Sequence, residues 1–161
     1  MRRLPRLLVI ACSLVTLVGC DHVTKNAAKS RLEYSAPRPV IGSVVRFEYA
    51  ENDDIAFNLL RWVPRHVRSP MLMSFGACAT LALLILLARL KHRGTIAIAL
   101  TLVTAGALGN YLDRVVRGYV IDFIRVPHWP VFNVADMYVV SGILLLVLSN
   151  PHARFRNPDA P

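Results

Sequence analysis

Four long apolar runs alternate with polar segments along the chain. They cover residues 4–20, 71–90, 95–112 and 134–148. The second run has no charged residue before Arg89, and a helix that crosses a hydrocarbon core needs about 20 predominantly apolar residues. The pattern predicts a mainly α membrane protein with four transmembrane helices. They form a single domain over residues 1–150 and leave residues 151–161 as a polar cytoplasmic tail.

The third and fourth runs differ from simple lipid-facing helices. The third ends with Gly106, Gly109 and Asn110, and the fourth begins beside Asp136. Small and polar side chains in membrane helices usually face other helices or a cavity. We therefore predict that both helices face partners inside a bundle.

The segment between the first two runs has a different pattern. Within residues 30–69, the alternating stretches VIGSVVRFEYA and IAFNLLRWV flank the turn-like residues 51–54. Alternation and β-branched residues are typical of strands, and Asn and Asp are typical of the turns between them. The segment is predicted to form a small extracytoplasmic β-rich region, a strand pair joined by a hairpin or bulge at residues 51–54.

The distribution of charge indicates the orientation. An even number of helices puts both termini on one side, and basic residues lie at the N-terminus, in the turn at residues 89–93 and in the C-terminal tail. The positive-inside rule makes that side cytoplasmic. Nine of the ten acids lie between Asp21 and Asp136. Acid chemistry is therefore expected near the extracytoplasmic face.

The composition excludes several partners. Hydrophobic residues make up 55% of the chain and charged residues 18%, which is too apolar for an ordinary soluble domain. The net charge of +9 comes from Lys and Arg scattered over termini, a turn and loops, whereas nucleic-acid-binding domains concentrate such charge on one face or motif. We predict membrane phospholipid as a partner, and no nucleic acid. The five scattered histidines form no ligand cluster, so no metal and no cofactor is expected.

The three cysteines, Cys12, Cys20 and Cys78, fall within predicted helices and lack the spacing of a zinc site or a disulfide framework. Cys20 ends a stretch that is similar to a bacterial lipoprotein signal, with a basic start, a short apolar run and the letters LVGC. If the stretch is processed as such a signal, a lipidated Cys20 becomes the first residue of the mature chain. An uncleaved first helix is favoured, because residues 21–25 have the character of a site and not of a tether.

Five short polar elements follow one another along the chain. They are Asp-x-x-Thr-Lys at residues 21–25, an Asn-led element at 52–57, GALGN-x-x-DR at 106–114, VIDF at 120–123 and FNVAD at 132–136. In this order, and with four helices, they resemble the prolipoprotein signal peptidases of bacterial inner membranes, also called signal peptidase II. Five ordered elements are much more specific than any single motif.

The resemblance implies an intramembrane aspartyl peptidase that cuts diacylglyceryl-prolipoproteins immediately before the lipid-modified cysteine. It places the catalytic pair at Asp122 and Asp136. The matched residues that would line or brace the site are Asp21, Lys25, Asn52, Asn110, Asp113, Arg114 and Asn133. A multi-pass monomer of the inner membrane without a cofactor is expected.

Two carboxylates that face each other across a water cannot both ionise cheaply, so one keeps a proton and the other acts as general base. Asp136 begins an apolar run, where free N–H groups and the helix dipole favour its charged form, and it is the favoured base. The pair titrates jointly, so the sequence alone does not assign the two roles. A structural alternative is that Asp136 or Asn133 is only a helix N-cap. Asp122 is expected on a loop whose apolar neighbours insert at the membrane edge.

The supporting residues have structural interpretations as well. Asp113 is followed by Arg114, which suits a permanent ion pair, so Asp113 is predicted to organise the site and not to catalyse. Asp21 and Lys25 share a helix face if the first helix continues past its predicted end, either as a surface pair or as a contact for the substrate or a lipid headgroup. Asn110 and Asn133 can each donate and accept hydrogen bonds, so they are suited to hold an extended peptide, to orient an aspartate or to join helices.

One element departs from the family pattern. The usual Asn-x-Gly is Asn52-Asp53-Asp54 here, and aspartate adopts a positive φ less freely than glycine. Three hypotheses therefore stand: an active lipoprotein signal peptidase, a noncatalytic membrane homologue that binds lipoprotein precursors or lipid, and a lipoprotein processed at Cys20. Retention of the matched acids and amides favours the first.

Overall fold

The computed structural model describes residues 3–42, 44–54, 60, 62–90 and 94–149. In chain order its helices and strands are α1 (Arg3–Leu32), β1 (Arg38–Ile41), β2 (Val45–Asn52), α2 (Arg65–Arg89), α3 (Thr95–Arg117), β3 (Val120–Arg125) and α4 (Val134–Leu148). Residues 55–57 of the Asn-led element, 91–93 of the predicted basic turn and the predicted tail lie outside the described residues.

Within the described part of the chain, α1, α2 and α3 are long and apolar enough to cross a membrane. They have 30, 25 and 23 residues, which correspond to lengths of about 45, 38 and 35 Å. The fourth apolar helix, α4, has 15 residues and is about 23 Å long, shorter than a hydrocarbon core of about 30 Å. The predicted mainly helical membrane architecture is confirmed, with three candidate spans and a shorter apolar helix in the fourth position.

The helices extend beyond the boundaries that the apolar pattern predicted. α1 continues to Leu32 and α3 to Arg117. Both extensions carry polar side chains that are buried inside the protein, so the apolar run in the sequence ends before the helix ends. α2 begins earlier than predicted, at Arg65, and accommodates Pro70 in its second turn, where a proline costs one backbone hydrogen bond.

The predicted β-rich region is present, but its pairing differs from the prediction. β1 and β2 form an antiparallel hairpin whose turn includes Gly42, with a φ of 54°. The predicted turn residues Glu51 and Asn52 belong instead to β2, which also pairs with β3. Most of the predicted partner strand IAFNLLRWV lies outside the described residues.

The expectation that the neighbours of Asp122 insert into the membrane is wrong. Val120, Ile121 and Phe123 are buried within the protein because β3 is a strand of the sheet. The ring of Phe123 packs edge-on against Phe47 of β2, with ring centroids 5.9 Å apart, and contacts the last turns of α1. The sheet is thereby fixed against α1.

Two glycines allow α3 and α4 to touch along their backbones. A Cβ on Gly106 would collide with the carbonyl of Ala135 and lie 2.6 Å from Cγ2 of Val139. A Cβ on Gly142 would lie 2.6 Å from the carbonyl oxygen of Ala99. Small residues permit such close approach in membrane bundles, and the predicted packing of these helices inside the bundle is confirmed.

Gly106→Ala is expected to destabilise the protein by about 1–3 kcal/mol, because the added methyl group has no space. Thermal unfolding in detergent measures the change. The matched control is Gly19→Ala in α1, where a Cβ meets nothing within 4 Å. Equal melting temperatures for the two variants would contradict the backbone contact.

Candidate active site

Asp122 lies in β3, opposite Ala50 of β2. It is 3% exposed, and both of its carboxylate oxygens accept hydrogen bonds. Asn52 donates through Nδ2 to Oδ2 at 2.8 Å, and Asn133 donates through Nδ2 to Oδ1 at 2.6 Å. The strand pairing therefore delivers this acid to amides from β2 and from the start of α4.

Asp136 lies in the first turn of α4. Asn133 is the N-cap, and its side chain accepts a hydrogen bond from the N–H of Asp136 at 3.0 Å. In return, Oδ2 of Asp136 accepts from the N–H of Asn133 at 3.1 Å, which completes a capping box. Oδ1 accepts from Nδ2 of Asn110 at 2.8 Å. The cap role considered for Asn133 is confirmed. Asp136 takes part in this capping box and also accepts a hydrogen bond from Asn110 of α3.

The side chains of Asn110 and Asn133 connect the two acids. The Nδ2 group of Asn133 donates to Asp122 and also to Oδ1 of Asn110 at 3.1 Å. Asn110 then donates to Asp136. Each amide both donates and accepts, so turning either one breaks contacts on two sides. The two carboxylates are thereby held at one place.

Lys25 is fully buried next to these amides. Its Nζ lies 2.7 Å from Oδ2 of Asp21, 2.8 Å from Oδ2 of Asp113 and 2.9 Å from Oδ1 of Asn110. Asp21 also accepts a hydrogen bond from the N–H of Ala135 at 2.9 Å. A buried ammonium is tolerated only with such partners, and this cluster joins α1, α3 and α4.

Both aspartates line a cleft of about 610 Å³. Arg114 contributes a cationic group to its lining, and Trp129 and Val140 contribute apolar surface. The cleft therefore combines acidic, cationic and apolar side chains.

The surroundings of Asp122 change its acidity. Burial raises the pKa of Asp122 to about 7, and the charge of Asp136 acts in the same direction. The hydrogen bonds from Asn52 and Asn133 and the charge of Lys25 lower this pKa without offsetting burial. A carboxyl group with such a pKa can hold and release a proton near neutral pH.

A second cavity, of about 530 Å³, lies between the N-terminal halves of α1 and α3. The described residues that line it include Arg6, Val9, Ile98 and Leu102 and no acid. It offers no pair of acids for catalysis, so the candidate site is the cleft at Asp122 and Asp136.

Residues 13–150 match the family model of signal peptidase (SPase) II. The chain belongs to the signal peptidase II family. Similar curated proteins include lipoprotein signal peptidases of Moorella thermoacetica, 33% identical over 81% of this chain and 84% of the relative, and of Mycobacterium avium, 34% identical over 91% and 79%. That of Teredinibacter turnerae is 36% identical over 79% of this chain and 77% of its own length.

Two solved structures described as bacterial membrane enzymes share the fold. Their TM-scores are 0.80 and 0.77, and the alignments cover 95% and 92% of this chain and 93% and 94% of theirs. Both are 23% identical to it, so the likeness concerns the fold alone.

The structure brings together the nine residues that the resemblance to signal peptidase II assigned to the site. They are Asp21, Lys25, Asn52, Asn110, Asp113, Arg114, Asp122, Asn133 and Asp136. The shared helix face of Asp21 and Lys25 is confirmed. The catalytic and supporting roles of these residues stay predictions.

The predicted ion pair between Asp113 and Arg114 is not formed. Asp113 pairs instead with Lys25 and with Arg117, one turn later, and His22 Nδ1 lies 3.5 Å from it. Consecutive helical residues point in different directions, whereas residues four apart share a face. The spacing of Asp113 and Arg117 was a sequence signal that the prediction missed.

Arg114 has other partners. It donates to the carbonyl of Asn110 at 3.2 Å and to the carbonyl of Asp54 at 3.0 Å. Asp54 needs no left-handed backbone, because His128 is the only residue other than glycine with positive φ in the described part of the chain. The ion pairs of Arg68 with Asp53 and Asp54 had no sequence signal, since local periodicity does not report contacts across an intervening segment.

Lys25→Met is expected to lower the stability by about 3–5 kcal/mol, because the buried carboxylate of Asp21 loses its counterion and that of Asp113 keeps only its ion pair with Arg117. Thermal unfolding in detergent measures this. Lys29→Met is the control, one turn later, where the partly exposed ammonium donates to the hydroxyl of Tyr119. A loss no greater than that of the control would show that Lys25 does not neutralise the cluster.

Proposed function

We propose that this chain is an intramembrane aspartyl endopeptidase that removes the signal peptides of diacylglyceryl-prolipoproteins by cutting before the lipid-modified cysteine. Its proposed catalytic pair is Asp122 and Asp136. The observation that carries the proposal is the presence of both carboxylates at one cleft, linked through Asn110 and Asn133. The relatives called lipoprotein signal peptidases support the substrate class.

In the proposed reaction Asp136 is the general base. Its carboxylate accepts hydrogen bonds from the N–H of Asn133, at the helix N-terminus, and from Asn110, and both contacts stabilise the charged form. Asp136 removes a proton from water as the water oxygen attacks the scissile carbonyl carbon.

Asp122 is the proposed general acid. Because burial raises the pKa of Asp122 to about 7, this residue holds a proton under mildly acidic conditions. The protonated carboxyl donates a hydrogen bond to the scissile carbonyl oxygen. When the C–N bond breaks, the leaving amine receives a proton from the pair.

We assign supporting roles to the remaining matched residues. Asn52 and Asn133 orient Asp122, and the buried Lys25 fixes Asn110, which orients Asp136. Arg114 lines the cleft, where its guanidinium is suited to the carbonyl oxygens of an extended peptide.

The proposed setting is the bacterial inner membrane. The chain would cross it four times as one domain over residues 1–150, with both termini in the cytoplasm and the cleft near the extracytoplasmic face. In support, Asp113 and Asp136 lie near the ends of α3 and α4 that adjoin β3, the strand that carries Asp122. A monomer contains every residue that the proposed mechanism uses.

The alternative of processing at Cys20 would remove more than half of α1. The next residue, Asp21, is fully buried and holds both Lys25 and the N–H of Ala135. An uncleaved helix therefore fits the site better than a tether.

Asp122→Asn and Asp136→Asn are each expected to lower cleavage of a purified diacylglyceryl-prolipoprotein by at least about 100-fold, because each removes an acid or a base. The control is Glu33→Gln, another acid to amide change, at a residue that does not line the cleft. Mass spectrometry of the products locates the cut.

Retained cleavage in both aspartate variants would exclude the aspartyl mechanism. If the folded intact protein does not cleave, the noncatalytic homologue becomes the better account. The mass of the protein's own N-terminus then tests processing at Cys20.

The cleavage rate is expected to fall as the pH rises through about 7, because Asp122 then loses its proton and the pair lacks an acid. Asp136, Lys25 and Arg114 are the charged groups that act on this titration. A profile of kcat/KM against pH at constant ionic strength measures it. An activity that only increases through neutral pH would contradict the assignment of Asp122.

A further inference from the structure

Asp54, the acid that departs from the family pattern, contacts two residues that follow it in the chain, Leu60 and Arg68. Asp54 is 1% exposed. Its Oδ1 accepts a hydrogen bond from the N–H of Leu60 at 3.1 Å, and its Oδ2 lies 3.4 Å from Nη1 of Arg68. The second terminal nitrogen of Arg68 lies 2.8 Å from Oδ2 of Asp53. The guanidinium of Arg68, near the start of α2, therefore binds both Asp53 and Asp54.

The backbone of Asp54 contacts two residues of the proposed active site. Its N–H donates to Oδ1 of Asn52 at 3.0 Å, and its carbonyl accepts from Nη2 of Arg114 at 3.0 Å. Asn52 donates through its other amide atom, Nδ2, to Asp122 at 2.8 Å. The amide is planar, so a bond that fixes Oδ1 also sets the direction in which Nδ2 donates.

We propose that Arg68 is a positioning residue for the active site, which acts through Asp54 to hold Asn52 on Asp122 and to keep the Arg114 guanidinium in the cleft. The inference rests on the proposed function. The glycine of the family pattern has no carboxylate for such an ion pair, so this support belongs to the present sequence.

Burial makes the ion pair suitable for this role. The side chains of Arg68 and Asp54 are 12% and 1% exposed. Exposed ion pairs contribute little, but removing one partner of a buried pair leaves the other charge uncompensated. Loss of the Arg68 guanidinium should therefore move the backbone of Asp54, and with it the hydrogen bonds to Asn52 and Arg114.

A structural ion pair and a positioning residue predict different results. If Arg68 only stabilises the fold, its loss lowers the melting temperature and leaves the chemistry of the folded fraction unchanged. If it positions Asn52, its loss removes a hydrogen bond from the charged form of Asp122 and raises the pKa of that carboxyl. The charged groups that act on Asp122 from α1, α3 and α4 are Lys25, Arg114 and Asp136.

The test is Arg68→Gln, measured as a profile of kcat and KM against pH with the diacylglyceryl-prolipoprotein. We expect kcat to fall by about 10- to 100-fold, as for a displaced catalytic geometry, and the fall of activity at high pH to begin at a higher pH. The matched control is Arg65→Gln. Arg65 lies one turn earlier, is 72% exposed and pairs with Asp53 at 3.3 Å, so the control removes the same charge without touching Asp54.

Asp54→Asn and the double variant that combines it with Arg68→Gln complete a double-mutant cycle. If Arg68 and Asp54 act as one unit, the double variant is no less active than the less active of the two single variants. Should Arg68→Gln fail to fold, Asp54→Asn makes the same test, because it removes the ion pair and keeps an oxygen for the N–H of Leu60.

The inference is overturned if folded Arg68→Gln or Asp54→Asn has the kcat and pH profile of the Arg65→Gln control. Failure of the proposed function looks different. The intact protein would then not cleave, or Asp122→Asn would remain active, and the inference would fall together with that function.

Discussion

A buried positive charge at Lys25 is the constraint on which the site depends. An ammonium without exposed surface is stable only among groups that compensate it, and here these are Asp21, Asp113 and Asn110. The geometry leaves no spare room, since a Cβ on Gly109 would lie 2.7 Å from Oδ2 of Asp21. α1 and α3 must therefore keep one arrangement around this nitrogen atom, and α4 is joined to it through the hydrogen bond from the N–H of Ala135 to Asp21.

That arrangement extends to the acids through amides and not through further charges. Asn110 accepts from Lys25 and donates to Asp136, while Asn133 donates to Asp122 and caps α4. Neutral donors orient the carboxylates without supplying a strong counterion. Burial then controls the acidity of Asp122 and raises its pKa to about 7, which suits proton transfer near neutral pH.

The sequence predicted the helical framework, and the resemblance predicted residues that meet at one cleft, whereas the connections between these residues were predicted less well. The pairing of Asp21 with Lys25 followed from their spacing, and the packing of α3 on α4 followed from small residues. The extension of α3 to Arg117, the strand around Asp122 and the ion pair of Asp54 with Arg68 were not predicted. These features arise from contacts between distant segments, which local periodicity does not report. The absence of an Asp113 and Arg114 pair has a simpler reason, since adjacent residues on a helix do not face one another.

The two proposed catalytic acids line one cleft, and we expect Asp122 to hold a proton there below neutral pH. Infrared difference spectroscopy of the protein in lipid tests this claim, because a protonated carboxyl group has its own C=O stretching band. At about pH 6 we expect such a band, its loss as the pH rises through about 7, and its absence in Asp122→Asn. A band that persists unchanged in Asp122→Asn, or an intact protein without one, would contradict the account.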